Sequence, residues 1–327
     1  MTERTTATGR ETWFHPRASL ARDGWDVVVD ASLDGWQHTG LRTADLRGRE
    51  LELPAGEVER LIVPLEGGCL VRAITEDGAV HEVELEGRAS IFDGPTDCLY
   101  LPPGASATLS GNGNGNGNGN GDGPGSSRVA VAEAPATTRH PLRRIGRDEV
   151  PVELRGRGRA SRQVHDLGTP AVLDAERLIV CEVITPAGNW SSYPPHKHDE
   201  ELPGRESRLE EIYYFELAPA PGAPDAASGA GADPYALFAA ASSAATEIEL
   251  DERVRSGDTA LVPGGFHGPA VAPPTHDLYY LNVMAGPGDR VWRITDEPAH
   301  EWVREAWQHE AADDRLPYIR TTNGARP

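Results

Sequence analysis

Residues 196–198 read His-Lys-His. Side chains of an extended chain alternate between two faces, so His196 and His198 project together while Lys197 points the other way. Further on, Glu210 and Glu211 open the run Ile-Tyr-Tyr-Phe215, which reads as the next strand. An antiparallel partner of that kind would bring a carboxylate beside the two imidazoles. Only one of two adjacent glutamates can point there, and the phase selects Glu211, which shares a face with Tyr213 and Phe215. His267, after the turn Pro263-Gly-Gly, is the fourth candidate. Three neutral imidazoles and one carboxylate suit zinc, manganese, iron or nickel, with positions left for water or substrate. An isolated HxH is more often a surface pair, and the later acid and histidine strengthen the case. His165, His276, His300 and His309 read as surface or locally hydrogen-bonded histidines, with His276 in reserve.

The elements that must position this set read as β-strands. Gly (36) and Pro (27) make up about a fifth of the 327 residues while helical periodicity is scarce, a combination that points to short strands and tight turns. Strands are expected at 25–30, 60–64, 70–75, 81–85, 89–92 and 98–101, then at 178–185, 211–216, 244–250, 260–262 and 278–283. The texture repeats, and so does a unit: Asp97, four residues, Pro102 and then Ser106 match Asp258, four residues, Pro263 and then His267. The first copy has no histidine there and no HxH before it, so a metal site is expected only in the second. These readings give an all-β chain with one domain over 1–138 and another over 139–327. A disordered Gly-Asn loop at 111–125 expands the first, an Ala/Gly/Pro-rich insert at 218–233 interrupts the second, and one short amphipathic helix ends it at 298–311.

Charge narrows the partners. With 31 basic and 51 acidic residues the net charge is −20, which gives nucleic acid or an anionic membrane no electrostatic reason to bind. No run of about 18 apolar residues is present and the opening MTERTTATGRETW lacks an apolar core, so neither a membrane span nor a secretory signal is expected. Cys69, Cys98 and Cys181 are widely spaced, fitting buried thiols in a reducing cytoplasm. Lys197 is the sole lysine, and its strand phase turns it away from the imidazoles, which argues against Schiff-base chemistry.

The HxH with its following glutamate and the later G-D-x4-P-x3-H resemble the two metal-binding motifs of the cupin superfamily, built on jelly-roll β-barrels. The segments NWSSYPPHKHDE, LEEIYYF, GDTALVPGGFH and DLYYLNVMAGP together resemble the 5-deoxy-glucuronate isomerase family of bacterial inositol catabolism, a likeness that runs over most of the chain. That resemblance implies a bicupin with one divalent ion, zinc or manganese first, on His196, His198, Glu211 and His267. It also implies conversion of 5-deoxy-D-glucuronate to 5-dehydro-2-deoxy-D-gluconate through an enediol. Candidates for the proton shuttle are Glu210, Tyr213, Tyr214 or a metal-bound water, and for the substrate carboxylate Arg162 and Lys197. Where relatives carry an aromatic-Gln-Arg strand, residues 235–239 here are apolar. A metal-dependent oxygenase and a non-catalytic sugar-acid binding protein are the competing readings, and self-association of the chain stays open.

Overall fold

A computed structural model describes residues 10–112, 126–229 and 231–318. The Gly-Asn repeat expected to be disordered falls outside the described residues from position 113 to 125. Among the described residues the architecture is mostly β, with short helical turns at the two ends and at Arg147–Glu149, Gly158–Ala160 and Asp225–Ser228.

Three sheets carry the fold. The central sheet has seven strands. From one edge to the other they are Phe14–His15, Thr259–Val262, Glu210–Pro219, His276–Ala285, Ile179–Thr185, Arg162–His165 and Val152–Arg155. Its strands Ile179–Thr185 and His276–Ala285 are buried along their whole length, as expected of a sheet covered on both faces. One face meets a six-stranded sheet that includes Ala236–Ala241, Phe266–Val271 and His196–Lys197, with Phe238 packed on Tyr213 and Phe215. The other face meets the nine-stranded sheet of the first half of the chain. Bidentate Arg88–Glu182 bonds of 2.5 and 2.6 Å and the Arg128–Glu216 pair cross that contact.

The two halves also exchange strands. Phe14–His15 pairs with Ala260 and Thr259, while Arg143–Ile145 pairs with Cys98–Leu101. The repeated unit has similar local geometry in both places. Asp97 accepts the amides of Glu86 and Gly87, and Asp258 those of Arg17 and Arg255. Gly104 and Gly265, each two residues after the proline of its copy, both take positive φ.

Several elements differ from the sequence reading. The strands expected at 60–64 and 70–75 are parts of one strand, Val58–Ile74, whose pairing shifts at a bulge between Pro64 and Glu66. Residues 89–92 form a turn, because Asp93-Gly94-Pro95 imposes turn chemistry and Gly94 sits at φ +103°. The strand expected at 244–250 begins at Glu249: the Ser243 hydroxyl accepts the amides of Ala245 and Thr246, and Ser242 that of Ile248, which holds a local turn. The terminal helix is broken into Pro298–His300, Trp302–Ala306 and Trp307–His309. No helix among the described residues is long and apolar enough to cross a membrane.

Candidate metal centre

The histidines converge because two strands of the six-stranded sheet hold them in register. His196 lies directly opposite His267, and the His196–Lys197 strand is flanked on its other side by Thr295–Asp296. The turn before His267 requires its glycines. A Cβ on Gly265, at φ +87°, would meet Ile248 at 2.5 Å, and one on Gly264 would meet Thr246 at 2.3 Å. Ring centroids are 4.6 Å apart for His196 and His267, 4.7 Å for His198 and His267, and 6.2 Å for His196 and His198. One ligand nitrogen from each lies within 4.8 Å of the others. The facing central sheet contributes Glu211, whose Oε2 is 2.9 Å from His198 Nε2 and 3.1 Å from His267 Nε2. All four side chains are buried.

Hydrogen bonding assigns what each ring presents. Nδ1 of His196 faces Pro194 O at 3.4 Å, Nδ1 of His198 faces Leu209 O at 3.1 Å, and Nδ1 of His267 faces Gly265 O at 3.1 Å. A carbonyl only accepts, so each Nδ1 carries a hydrogen, and Nε2 is the nitrogen with which a neutral ring would bind an ion. At His198 and His267 Nε2 faces a carboxylate oxygen, so positive charge must lie between them, carried either by a proton on the ring or by a cation. Nε2 of His267 is buried with no hydrogen-bond partner. A cation there meets that requirement. Adjacent ligands on bonds of about 2.1 Å at right angles stand about 3.0 Å apart, close to the 2.9 and 3.1 Å found here. The residues therefore fit a divalent ion.

The electrostatics agree. Burial drives His196 well below its ordinary pKa, with His267 and His198 adding to the effect, so its ring stays neutral. Burial also opposes charge on His198, but its hydrogen bond to Glu211 and that carboxylate's charge outweigh burial and raise the ring. Burial alone would raise Glu211; the rings of His198 and His267 beside it instead hold it well below the usual carboxylate range, so it stays ionised and calls for positive charge at this point.

The central sheet sorts the remaining candidates by face. Across its registered pairs, Glu211, Tyr213, Phe215, Tyr280, Asn282, Val183 and Val164 share the face turned to the histidines, and Arg162 continues that phase. Tyr213 is buried, with its ring 6.1 Å from that of His267, and its hydroxyl faces Ser192 and Glu211. Glu210 and Tyr214 are on the opposite face. The Glu210 carboxylate accepts the backbone amides of Gln37 and His38, and Tyr214 donates to Glu216 beside Arg128. Lys197 bonds Asp199 at 2.7 Å, Glu200 at 2.7 Å and Glu206 at 2.9 Å, so its ammonium neutralises an acidic cluster away from the imidazoles.

Two neighbours of the site were not anticipated. Tyr280 donates to Ser191 Oγ at 3.0 Å, and Ser192 Oγ lies 3.3 Å from the Tyr280 hydroxyl. Ser192 has φ +49°, uncommon for a residue with a side chain, and its carbonyl presses on Gly268, where a Cβ would come within 2.0 Å. A long aromatic strand signals burial without revealing which tyrosine reaches which partner. His165 is fully buried, with Nδ1 2.6 Å from Glu182, while His276 contacts Thr275 and Ala227 far from the cluster. A surface groove of about 440 Å³, lined by Arg159, Tyr193, Trp302 and Trp307 among others, borders the loop leading to His196.

Comparison with known proteins gives these features a context. The KduI/IolB family model matches residues 13–303. A 5-deoxy-glucuronate isomerase of Geobacillus thermodenitrificans is 43% identical over 175 residues, which span 53% of this chain and 57% of that protein. The chain thus matches little more than half the length of that curated relative. One from Shouchella clausii is 32% identical over 292 residues, covering 88% of this chain and 96% of the relative. Among solved structures, an IolB-like protein from Salmonella typhimurium LT2 superimposes with a TM-score of 0.74 at 30% identity, over 89% of this chain and 99% of that one. An oxalate decarboxylase from Lactobacillus farciminis shares the fold at 11% identity and a TM-score of 0.55, over 87% and 88% of the two chains.

Proposed function

The chain belongs to the KduI/IolB family, and from that premise we propose that it is a metal-dependent isomerase converting 5-deoxy-D-glucuronate to 5-dehydro-2-deoxy-D-gluconate. The observation that carries the reading is the convergence of one ring nitrogen from each of His196, His198 and His267, with the Glu211 carboxylate against two of them, all buried, in the second half of the chain. We read the two halves as cupin domains of jelly-roll type, divided near 138/139, with the metal in the second. The curated relatives named for the same reaction support the substrate.

His196, His198, Glu211 and His267 would hold one divalent ion, zinc or manganese. Such an ion polarises a carbonyl and stabilises negative charge developing on its oxygen, an effect of several kcal/mol. The chain supplies the rest. An aldose becomes a ketose when a proton leaves the hydroxyl-bearing carbon, another reaches the former aldehyde carbon, and the hydroxyl protons redistribute, with no net redox change. Tyr213, beside Glu211 and Ser192, is the hydroxyl we assign to that redistribution. We give no proton transfer to Glu210 or Tyr214, whose polar atoms serve the contact with the first half. The buried setting keeps water from an enediol, and Arg162 receives the substrate carboxylate. We place this chemistry in the cytoplasm, with self-association of the chain left to measurement.

The test is incubation of zinc- or manganese-loaded protein with 5-deoxy-D-glucuronate, followed by NMR. The ketose signal should grow without oxygen uptake. Absence of ketose with every divalent metal tried defeats the reading.

A further inference from the structure

The two arginines buried outright among the described residues come with carboxylates. Arg60 bonds Glu133 at 2.7 Å, and Arg88 grips Glu182 with both nitrogens. Partly buried Arg290 instead donates to the carbonyls of Leu178, Leu173 and Gly168, whereas Arg162 has neither arrangement. It is partly buried, its one described hydrogen bond runs from Nη1 to the carbonyl of Ala160 at 3.2 Å, and no carboxylate among the described residues lies within ion-pair distance. Its strand phase sets it on the same face as Glu211, Tyr213 and Tyr280. The groups that act on it electrostatically are Tyr280 and Tyr213, together with two further cations, Arg155 and Arg304. It acts in turn on His196. A partly buried guanidinium with one hydrogen bond leaves most of its donors unused, and its five donors are arranged for a planar, two-oxygen acceptor.

Tyr280 is a second donor on that face. Its hydroxyl is anchored between Ser191 and Ser192, and Ser192 is itself held in a left-handed backbone conformation against Gly268, next to His267. Backbone geometry that unfavourable persists where surrounding contacts impose it, and it here fixes a hydroxyl beside the metal ligands. A carboxylate would draw the Tyr280 hydrogen from Ser191, because hydrogen bonds to ionised acceptors are the stronger ones.

We propose that Arg162 and Tyr280 together form the anion subsite of the centre, holding the carboxylate of a sugar acid while its carbonyl end faces the histidines, and so select uronates over neutral aldoses. The proposal rests on the isomerase reading for the identity of the natural substrate, but the subsite can be tested apart from turnover. Calorimetric titration of zinc-loaded protein with D-glucuronate and with D-glucose should show glucuronate binding at least about tenfold more tightly, the scale of one or two hydrogen bonds to a charged group. Arg162→Met should erase the preference. Tyr280→Phe should weaken glucuronate by about tenfold and leave glucose and zinc content unchanged. If Arg162→Met fails to fold, Arg162→Lys replaces it, losing the two-pronged geometry and most of the preference. A preference undiminished in folded Arg162 and Tyr280 variants overturns the subsite. Loss of the preference in a protein that does not isomerise 5-deoxy-D-glucuronate supports the subsite and removes the isomerase reading. Isomerisation with KM unmoved by either substitution removes the subsite alone.

Discussion

Replacing Glu182 by glutamine tests how the two halves of the chain are held together. Glu182 is fully buried and accepts Arg88 Nη1 and Nη2, His165 Nδ1 and the Tyr279 hydroxyl at 2.5, 2.6, 2.6 and 2.8 Å. Glutamine keeps the volume but removes the charge, leaving the Arg88 guanidinium enclosed without a counter-ion. Breaking a buried pair from one side costs about 3–5 kcal/mol, whereas replacing both partners with apolar groups is often neutral or stabilising. Glu182→Gln should therefore lower unfolding free energy by about 3–5 kcal/mol, a large part of the usual 5–15 kcal/mol. Adding Arg88→Met to Glu182→Gln removes the stranded guanidinium while the glutamine carbonyl can still accept from His165 or Tyr279, and should recover most of it. Urea unfolding followed by tryptophan fluorescence reads both. A cost for Glu182→Gln below about 1 kcal/mol, or a double variant no better than the single, would refute the idea that this pair is a desolvated clamp between the halves.

Other consequences follow from the same contacts. Charge on Arg88 and a hydrogen bond from His165 overcome burial to lower Glu182 from 4.5 to about 2, and Lys197 and Ser243 likewise lower Asp199 from 3.8 to about 2. A depressed carboxylate stabilises the fold above its unfolded pKa and ceases to do so as pH falls through the folded value, so the urea midpoint should drop between about pH 4.5 and pH 2; a flat midpoint across that window contradicts it. Gly268→Ala would put a Cβ 2.0 Å from the Ser192 carbonyl at φ +94°. It should cost at least about 2 kcal/mol of stability and weaken metal binding through neighbouring His267, as read by urea unfolding and metal titration. Lys197→Met strands Asp199 and Glu206 without their ammonium and should cost about 3–5 kcal/mol while leaving metal content intact. Metal lost with the lysine would show that it serves the centre after all.

The centre was legible because strand alternation is a strong local rule. The HxH spacing put His196 and His198 on one side, and the phase of the 210–215 run put Glu211 inward with Tyr213. The same rule turned Lys197 outward, where the structure gives it three carboxylates. What lay beyond it depended on contacts distant in sequence. Nothing around Glu182 signals that Arg88 lies against it, because that pairing arises only when two sheets stack. The exchange of Phe14–His15 and Arg143–Ile145 between halves is likewise invisible to local propensity. The turns at 89–92 and 243–248 have local causes: Asp93-Gly94-Pro95 ends a strand that apolar residues 89–92 would otherwise continue, and the hydroxyls of Ser242 and Ser243 capture amides that a ladder would need. The role of Ser192 follows from Gly268 pressing on its carbonyl, a contact between residues 76 positions apart.

The most direct measurement is metal stoichiometry by equilibrium dialysis against zinc or manganese with elemental analysis. The wild-type chain should hold one ion, and single changes of His196, His198, His267 or Glu211 to alanine should each weaken its retention severely in protein that remains folded by circular dichroism. Folded variants that keep a full ion with unchanged affinity would contradict the claim that these four side chains form the centre.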